Sequence, residues 1–198
     1  MTCIILAGGK SSRLGRNKAL QVVDGRSLIQ WVIDRVSLLS TEIIIVTARG
    51  EAIPSYSTVE IKTVADIYPG KGPLAGIYSG LLASAGSRAV AVGCDTPFLS
   101  VSLLEYMTQM CAVYDVVVPR ISSKLEPLCA VYSKNCSAPI RKLLEQNELR
   151  IDKLFGMVRV KYIEEEEINR LDPERLSFFN INSQADLDSA RKLATERG

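Results

Sequence analysis

The sequence predicts a Rossmann-like α/β fold in which a mainly parallel sheet is flanked by helices, and three observations support this prediction. Short runs rich in β-branched residues alternate with longer segments of helical periodicity, as expected for repeated strand–helix units. Several of the short runs are almost continuously apolar, which indicates strands buried on both faces. The chain has 198 residues, 47% of them hydrophobic, which is enough for one substantial core, and we expect a single domain over residues 1–198.

Strands are predicted where aliphatic and β-branched residues cluster between turn-forming residues. These segments are residues 2–6, 42–47, 59–64, 89–93, 116–119, 128–132 and 157–163. Parallel strands place their carboxyl ends at one edge of a sheet, and open α/β sheets bind their ligands at that edge. Polar residues that directly follow these strands are therefore the candidates for a functional site.

Helices are predicted at residues 27–39, 74–85, 100–111, 134–146 and 185–195. In the first of these, apolar residues recur at spacings of three and four and mark one face, formed by Leu28, Ile29, Val32, Ile33 and Val36. Before the last helix, Ser183 and Asp186 have the spacing of a capping box, with aspartate in place of the usual glutamate or glutamine. The four glutamates at 164–167 are expected to form a solvated edge.

Composition excludes several classes of function. Lysine and arginine total 24 against 22 aspartates and glutamates, so we expect no nucleic-acid surface. No segment reaches the roughly 18 apolar residues of a membrane span, and five cysteines without a C-x-x-C pair favour a reducing compartment, so we expect a cytoplasmic protein. The chain has no histidine, which excludes a histidine base and a histidine-ligated zinc. Carboxylates, lysines, arginines and backbone amides must carry the chemistry.

The loop at residues 6–18, with the sequence LAGGKSSRLGRNK, directly follows the first predicted strand. Its glycines do not have the G-x-G-x-x-G spacing of a dinucleotide fingerprint. A P-loop would require a glycine at position 4, where the chain has Ile4. What is left is a glycine-rich loop whose backbone N–H groups can approach an anion, with Arg13 and Lys18 available to neutralise its charge. The loop predicts a triphosphate site; a solvated basic turn is the alternative.

Two later aspartates follow predicted strands. Asp66 precedes a glycine-rich stretch that leads into a helix, and together they could bring backbone groups and a carboxylate to a nucleoside. A plain turn, with Gly76 and Gly80 allowing close helix packing, is the alternative. Asp95 follows the strand at 89–93, where a carboxylate suits Mg²⁺ held jointly with phosphates. A helix cap is the other interpretation of Asp95, and the adjacent Cys94 is expected to be a small buried residue.

Several motifs occur together in the order of one known family. They are LAGG at 6–9 with Arg13, Gly15 and Lys18, GPLAG at 72–76, CDTP at 94–97, EPL at 126–128 and NIN at 180–182. In these motifs the chain resembles the molybdenum cofactor guanylyltransferases, which have the nucleotide-diphospho-sugar transferase-like fold. The resemblance extends from residue 6 to residue 187. It implies transfer of GMP from GTP to Mo-molybdopterin, with release of pyrophosphate and with Mg²⁺ as cofactor.

The resemblance also implies roles for individual residues. Arg13, Lys18 and Asp95 would be catalytic, with Asp95 as the Mg²⁺ ligand. The nucleotide would contact a set formed by Leu6, Ala7, Gly8, Gly9, Lys18, Asp66 and Asp95. Asn180 and Asn182 would face the pterin substrate, because side-chain amides can both donate to and accept from a pterin edge. Transient contacts with molybdenum-insertion proteins or molybdoenzyme chaperones would be expected.

Three other functions are left open by the sequence. A cytidylyltransferase of the same cofactor pathway would use similar phosphate chemistry, and a sugar-phosphate nucleotidyltransferase would share the first loop. A non-catalytic nucleotide-binding module would keep the phosphate loop without needing the metal carboxylate. The chain also departs from the family after the second strand, where relatives can have an asparagine and this chain reads Thr47-Ala48-Arg49.

Overall fold

The computed structural model describes residues 1–8 and 18–195. Its strands are β1 (Thr2–Leu6), β2 (Val22–Val23), β3 (Arg26–Ser27), β4 (Glu42–Thr47), β5 (Glu60–Ala65), β6 (Arg88–Gly93), β7 (Val116–Ile121), β8 (Lys124–Leu125), β9 (Cys129–Ser133) and β10 (Val160–Ile163). Its α-helices are α1 (Leu28–Val36), α2 (Pro73–Ala83), α3 (Val101–Met110), α4 (Ser137–Glu145), α5 (Asp152–Phe155), α6 (Glu165–Leu171) and α7 (Gln184–Thr195). Within these two ranges, none of the helices has the length and apolarity needed to cross a membrane.

The main sheet has the strand order β10-β7-β9-β6-β1-β4-β5, with β8 paired to β7. The pairs β5–β4, β4–β1, β1–β6 and β7–β10 are parallel. Strand β9 runs antiparallel to both of its neighbours, β6 and β7. The expected mainly parallel sheet flanked by helices is confirmed, and the reversal of β9 makes it a mixed sheet.

Helices cover both faces of the sheet. Successive side chains of the central strands point to opposite faces, and each face packs against its own set of helices in a separate hydrophobic core. In β1, Cys3 and Ile5 belong to the cluster that also contains the buried faces of α1 and α3. Ile4 belongs to the opposite cluster, with residues of α2 and α4. The predicted apolar face of α1 is confirmed, since all five of its residues are buried.

Helix α2 packs very closely on β1 because two of its residues are glycines. A Cβ atom on Gly76 would lie 2.9 Å from Leu6 Cδ2, and one on Gly80 would lie 2.5 Å from Ile4 Cγ2. The interpretation of these glycines as packing residues is therefore confirmed. The contact also brings the N-terminus of α2 to the edge at which β1 ends.

The four glutamates at 164–167 do not form only a solvated edge, as the sequence analysis expected. Glu164 caps helix α6, and the Glu167 side chain accepts from the Glu164 backbone in a reciprocal capping box. Glu164 also pairs with Arg120, and Glu165 pairs with Arg175 at 2.7 Å. Glu164 and Glu166 are exposed, as expected of a solvated edge, and the run also caps α6, because glutamates near a helix N-terminus are stabilised by the unpaired N–H groups of its first turn.

The hairpin β2–β3 is a further element absent from the sequence prediction. It turns through Asp24 and Gly25, whose φ angles are 48° and 73°. Two successive positive φ angles match the type I′ turn for which an Asp-Gly pair is a known signal. The hairpin supports α1 through Trp31, whose indole N–H donates to Val23 O at 2.9 Å.

Candidate active site

The site is built on the edge of the sheet where β1, β4, β5 and β6 end. In register, Leu6 pairs with Val46 on one side and with Gly93 on the other. Beyond the strands, Ala7 N donates to Val46 O at 2.9 Å, and Cys94 N donates to Leu6 O at 3.2 Å. The first residues of the loops after β1 and β6 are thereby held side by side.

Gly8 lies close to the backbone at the end of strand β4. A Cβ atom at this position would lie 3.1 Å from Ala48 N and 3.3 Å from Thr47 C, both backbone atoms. Backbone cannot move aside as a flexible side chain can, so the absence of a side chain at Gly8 allows this close approach to the end of β4. Leu6, Ala7 and Gly8 lie at this edge, as predicted, whereas Gly9 and Arg13 fall outside the described residues.

Two of the predicted site residues, Asp95 and Asn182, converge on the ammonium group of a third, Lys18. Lys18 begins a short 3₁₀ turn, Lys18–Leu20, and its Nζ atom lies 2.5 Å from Asp95 Oδ2 and 2.7 Å from Asn182 Oδ1. The side chains of Lys18 and Asp95 are 17% and 20% exposed, respectively. The ion pair is therefore partly shielded from water, which strengthens it, yet a ligand can still reach it.

Asp95 sits in a turn that leaves room for its carboxylate. A Cβ atom on Gly93 would lie 2.3 Å from Asp95 Oδ1, so the carboxylate occupies space that any other residue at 93 would fill. The turn is closed by Thr96, whose Oγ1 donates to Gly93 O at 3.0 Å. Burial, reinforced by the negative charge of Asp95, raises the pKa of the Cys94 thiol to about 12. Cys94 is thus a buried thiol without thiolate reactivity, as expected.

Asp95 supplies a single carboxylate, and this limits the kind of metal ion that the site could hold. Within residues 1–8 and 18–195, no group of three or more histidine, cysteine, aspartate or glutamate side chains could enclose a metal ion. A single carboxylate in an open cradle fits Mg²⁺, because that ion commonly takes one or two carboxylates and completes its shell with phosphate oxygens and water. The residues therefore fit an ion that arrives with a phosphate ligand.

The segment before α7 is tied to the loop of Asp95. Ile181 is fully buried and its N–H donates to Asp95 O at 3.0 Å. The Ser183–Asp186 capping box is confirmed: Asp186 N donates to Ser183 Oγ at 3.2 Å, and Ser183 N donates to Asp186 Oδ2 at 2.8 Å. Asn180 is oriented differently from Asn182, because its Nδ2 donates to Phe178 O at 3.0 Å.

Asp66 lies at the end of β5, and its carboxylate is held by its own loop and by α2. Asp66 N donates to Thr47 O at 2.8 Å, so the residue continues the row of strand ends. Its Oδ1 accepts from Tyr68 N at 3.0 Å and lies 2.9 Å from Ser79 Oγ. Ser79 is 2% exposed and also accepts from Ile67 N at 2.9 Å. The Asp66 side chain is thus fixed at the same edge of the sheet, by contacts separate from those of Lys18.

The glycine-rich stretch after Asp66 contains two backbone positions that require glycine. Gly70 and Gly72 have φ angles of 83° and 77°, which L-residues with side chains rarely adopt. Between them, Lys71 Nζ donates to Leu144 O at 2.9 Å and lies 5.5 Å from the centre of the Tyr68 ring. Lys71 therefore connects the loop between β5 and α2 to the C-terminal end of α4, where the helix dipole also favours a cation.

Sequence reasoning found the charged members of the site but missed the residues that orient them. Ser79 and Lys71 were not singled out, since a serine in a helix and a lysine in a loop carry no distinctive pattern. Thr47 was predicted only as the last residue of a strand, next to Ala48, where relatives can have an asparagine. It is 4% exposed, and within the described part of the chain its Oγ1 has no hydrogen-bond partner. Its contribution to the site is made by the backbone, since Thr47 O accepts from Asp66 N at 2.8 Å.

The arrangement can stabilise negative charge without a strong general base. It combines one partly buried ammonium group, one carboxylate, a glycine-rich backbone and a carboxamide. Transfer of a phosphoryl or nucleotidyl group depends mainly on positioning and on electrostatic stabilisation, and these groups supply both. The geometry is thus suited to a polyphosphate substrate.

Comparison with known proteins gives concordant results. Residues 3–157 match the family model of the MobA-like NTP transferase domain. The chain is 36% identical over 193 residues to a probable molybdenum cofactor guanylyltransferase of Pelotomaculum thermopropionicum, covering 98% of this chain and 93% of the relative. It is 35% identical to a molybdenum cofactor guanylyltransferase of Desulfosudis oleivorans, covering 96% and 94%.

A solved structure is similar over almost the whole length. The crystal structure of molybdopterin-guanine dinucleotide biosynthesis protein A from Archaeoglobus fulgidus superposes with a TM-score of 0.82 at 25% sequence identity. The match covers 99% of this chain and 100% of that one. The family match and the structural match therefore agree on both the fold and the type of domain.

Proposed function

The chain belongs to the MobA-like NTP transferase domain family, and on that premise we propose that it transfers GMP from GTP to Mo-molybdopterin. The observation that carries the proposal is the contact of Lys18 Nζ with Asp95 Oδ2 at 2.5 Å, at the edge where β1 and β6 end. This contact places a cation and a metal-type carboxylate side by side where a triphosphate would lie. Full-length relatives named molybdenum cofactor guanylyltransferase support the choice of substrates.

In the proposed reaction an oxygen of the terminal phosphate of Mo-molybdopterin attacks the α-phosphorus of GTP. The new P–O bond forms as the bond to the β-phosphate breaks, so pyrophosphate leaves and molybdopterin guanine dinucleotide is formed. The attacking phosphate is already anionic and needs no base. Lys18 neutralises charge that grows on the α-phosphate and on pyrophosphate, and backbone N–H groups from Gly8 onward hold the phosphates. Gly9 and Arg13 complete this part of the proposal.

We assign Asp95 as the ligand of Mg²⁺ in this reaction. When bound together with GTP, the ion would neutralise phosphate charge and favour departure of pyrophosphate. Because Gly93 has no side chain, the Asp95 carboxylate can lie over it at this edge, where it would meet such an ion. No other carboxylate is required, because phosphate oxygens and water would complete the coordination.

The remaining assignments concern the two organic substrates. Asp66 is proposed to bind the nucleoside of GTP, since its carboxylate is fixed by Ser79 and by the Tyr68 backbone. Asn180 is proposed to face the pterin. The described cysteines are all free and buried, in agreement with a cytoplasmic location, where transient contacts with molybdenum-insertion proteins or molybdoenzyme chaperones would deliver and receive the pterin.

Nucleotide selectivity tests the proposed function. Purified protein is titrated with GTP, CTP, ATP and UTP in Mg²⁺ at fixed salt, and the heat of binding is followed. We expect GTP to bind most tightly, with weaker binding when Mg²⁺ is removed. A preference for CTP would assign the chain to cytidylyl transfer, and a preference for ATP or UTP would favour a sugar-phosphate nucleotidyltransferase.

A further inference from the structure

The ammonium group of Lys18 has two acceptors that differ in charge. Asp95 Oδ2 is anionic and lies 2.5 Å from Nζ, whereas Asn182 Oδ1 is neutral and lies 2.7 Å away. A lysine ammonium has three N–H donors. With two of them directed at these oxygens, the third is suited to an oxygen of a bound phosphate.

The neutral acceptor has a distinct physical role. A carboxylate orients a lysine but also cancels its charge, which weakens the attraction of the lysine for a phosphate. A carboxamide oxygen fixes the direction of Nζ and leaves the positive charge intact. Asn182 therefore holds the ammonium group in place without weakening its electrostatic attraction for an anionic ligand.

Asn182 is itself fixed by its neighbours in the chain. Its backbone N–H donates to Asp186 Oδ2 at 2.9 Å, alongside the N–H of Ser183. The preceding residue, Ile181, is fully buried in a cluster with Phe98 and Leu187, and its N–H is bonded to Asp95 O. The backbone at Asn182 is thus held both by α7 and by the loop of Asp95. The position from which the Asn182 side chain extends towards Lys18 is therefore fixed.

We propose that Asn182 is a positioning residue that orients Lys18 towards the phosphates of the nucleotide. This inference rests on the proposed function, and it assigns Asn182 to the nucleotide side of the site instead of the pterin side. It also makes the segment before α7 part of the nucleotide site. That segment lies beyond residues 3–157, the part of the chain that matches the family model.

Binding of GTP in the absence of any pterin tests the inference. The affinity for GTP is measured by calorimetry in Mg²⁺ for the wild type, for Asn182→Ala and for the control Gln184→Ala. Gln184 is a nearby exposed amide whose Nε2 donates to Asp188 Oδ1. We expect Asn182→Ala to weaken GTP binding about 3- to 10-fold, as for loss of one partly exposed hydrogen bond to a charged group. We expect Gln184→Ala to bind GTP as the wild type does.

A double-mutant cycle separates positioning from a general structural effect. In a Lys18→Met background, Asn182→Ala should cause no further loss of GTP affinity, since the group that it positions is gone. In steady-state assays, Asn182→Ala should raise the KM for GTP and leave the KM for the pterin substrate unchanged.

Three results would reject the inference in different ways. Unchanged GTP binding with a raised KM for the pterin would return Asn182 to the pterin side. Equal losses in both backgrounds would show an effect that does not act through Lys18. A wild-type protein that binds none of the four nucleoside triphosphates would instead reject the proposed function, and the positioning role with it.

Discussion

Gly80 of α2 lies directly against Ile4 of β1, so closely that a Cβ atom on Gly80 would stand 2.5 Å from Ile4 Cγ2 and 2.8 Å from Ile4 Cδ1. Ile4 is fully buried on β1, which lies inside the sheet between β6 and β4. The same close packing sets the height of α2 above the sheet. The position of the helix N-terminus at the active-site edge therefore depends on a residue without a side chain.

Gly80→Ala should destabilise the protein by about 1–2 kcal/mol, because overpacking at Ile4 outweighs the roughly 1 kcal/mol that alanine gains over glycine in a helix. The measurement is the free energy of unfolding in urea. Gly156→Ala is the control, since its nearest contact would be Lys153 O at 3.8 Å. Equal stability of the two variants would contradict the packing argument.

Asp115 should make the fold sensitive to acid. Hydrogen bonds from Arg159, followed by one from Asn135, lower the pKa of the Asp115 carboxyl from 3.8 to about 2. A carboxyl whose pKa is lower in the folded than in the unfolded protein stabilises the fold at pH values above its unfolded pKa. The stabilisation by Asp115 should therefore be complete above about pH 4 and be lost as the pH falls towards 2. Asp115→Asn should cost about 1–3 kcal/mol at neutral pH and flatten the stability profile between pH 4 and 2. Asp34→Asn, at a more exposed ion pair, should leave that profile steep.

Asp95→Asn should abolish most of the transfer activity while preserving the fold. The amide retains the shape of the carboxylate and can still accept from Lys18, but it loses the charge required to hold Mg²⁺. We expect turnover to fall by about 10³-fold or more, as when a charged group that stabilises phosphoryl transfer is removed. Asp188→Asn, at an exposed pair with Arg191 on α7, is the matched control. Wild-type protein that binds GTP but transfers nothing would identify the non-catalytic module instead.

Ser79→Ala should weaken nucleoside binding through Asp66. Without the hydroxyl, Asp66 Oδ1 loses a partner at 2.9 Å and the Ile67 N–H loses its acceptor. We expect GTP affinity to fall about 3- to 10-fold, consistent with loss of one or two hydrogen bonds near a carboxylate. Ser84→Ala is the control: Ser84 is also buried, but it follows the C-terminal end of α2 and its hydroxyl donates to Leu81 O, away from the edge. If both variants bind GTP equally well, Asp66 does not depend on Ser79.

The sequence predicted the parallel core well because buried strands carry an unambiguous signal. The segments at 2–6 and 42–47 were placed correctly to the residue, since continuous apolar runs between turns leave few alternatives. The reversal of β9 was not predicted. Strand direction depends on which neighbours a strand meets, and its own residues look alike in either orientation.

For the site, the chemistry of single residues was predictable but their contacts were not. Lys18, Asp95 and Asn182 were each identified from the motif in which they lie, yet no pattern indicated that one ammonium group would join all three. The orientation of Asn182 towards Lys18 depends on the docking of α7 by Ile181 and on the backbone of Asp95. Such contacts are set by tertiary packing between distant segments, which local spacing does not encode.

The contact between Lys18 and Asn182 spans 164 positions of the chain, and this separation has a consequence for how the protein is made. A ribosome that adds 5–20 residues per second needs roughly 10–30 s to extend the chain from the lysine to the asparagine. During that interval β1 and its loop have emerged, but the lysine has not met the amide that orients it. On the proposed role of Asn182, the oriented ammonium group therefore becomes available to a phosphate only after synthesis has reached the asparagine.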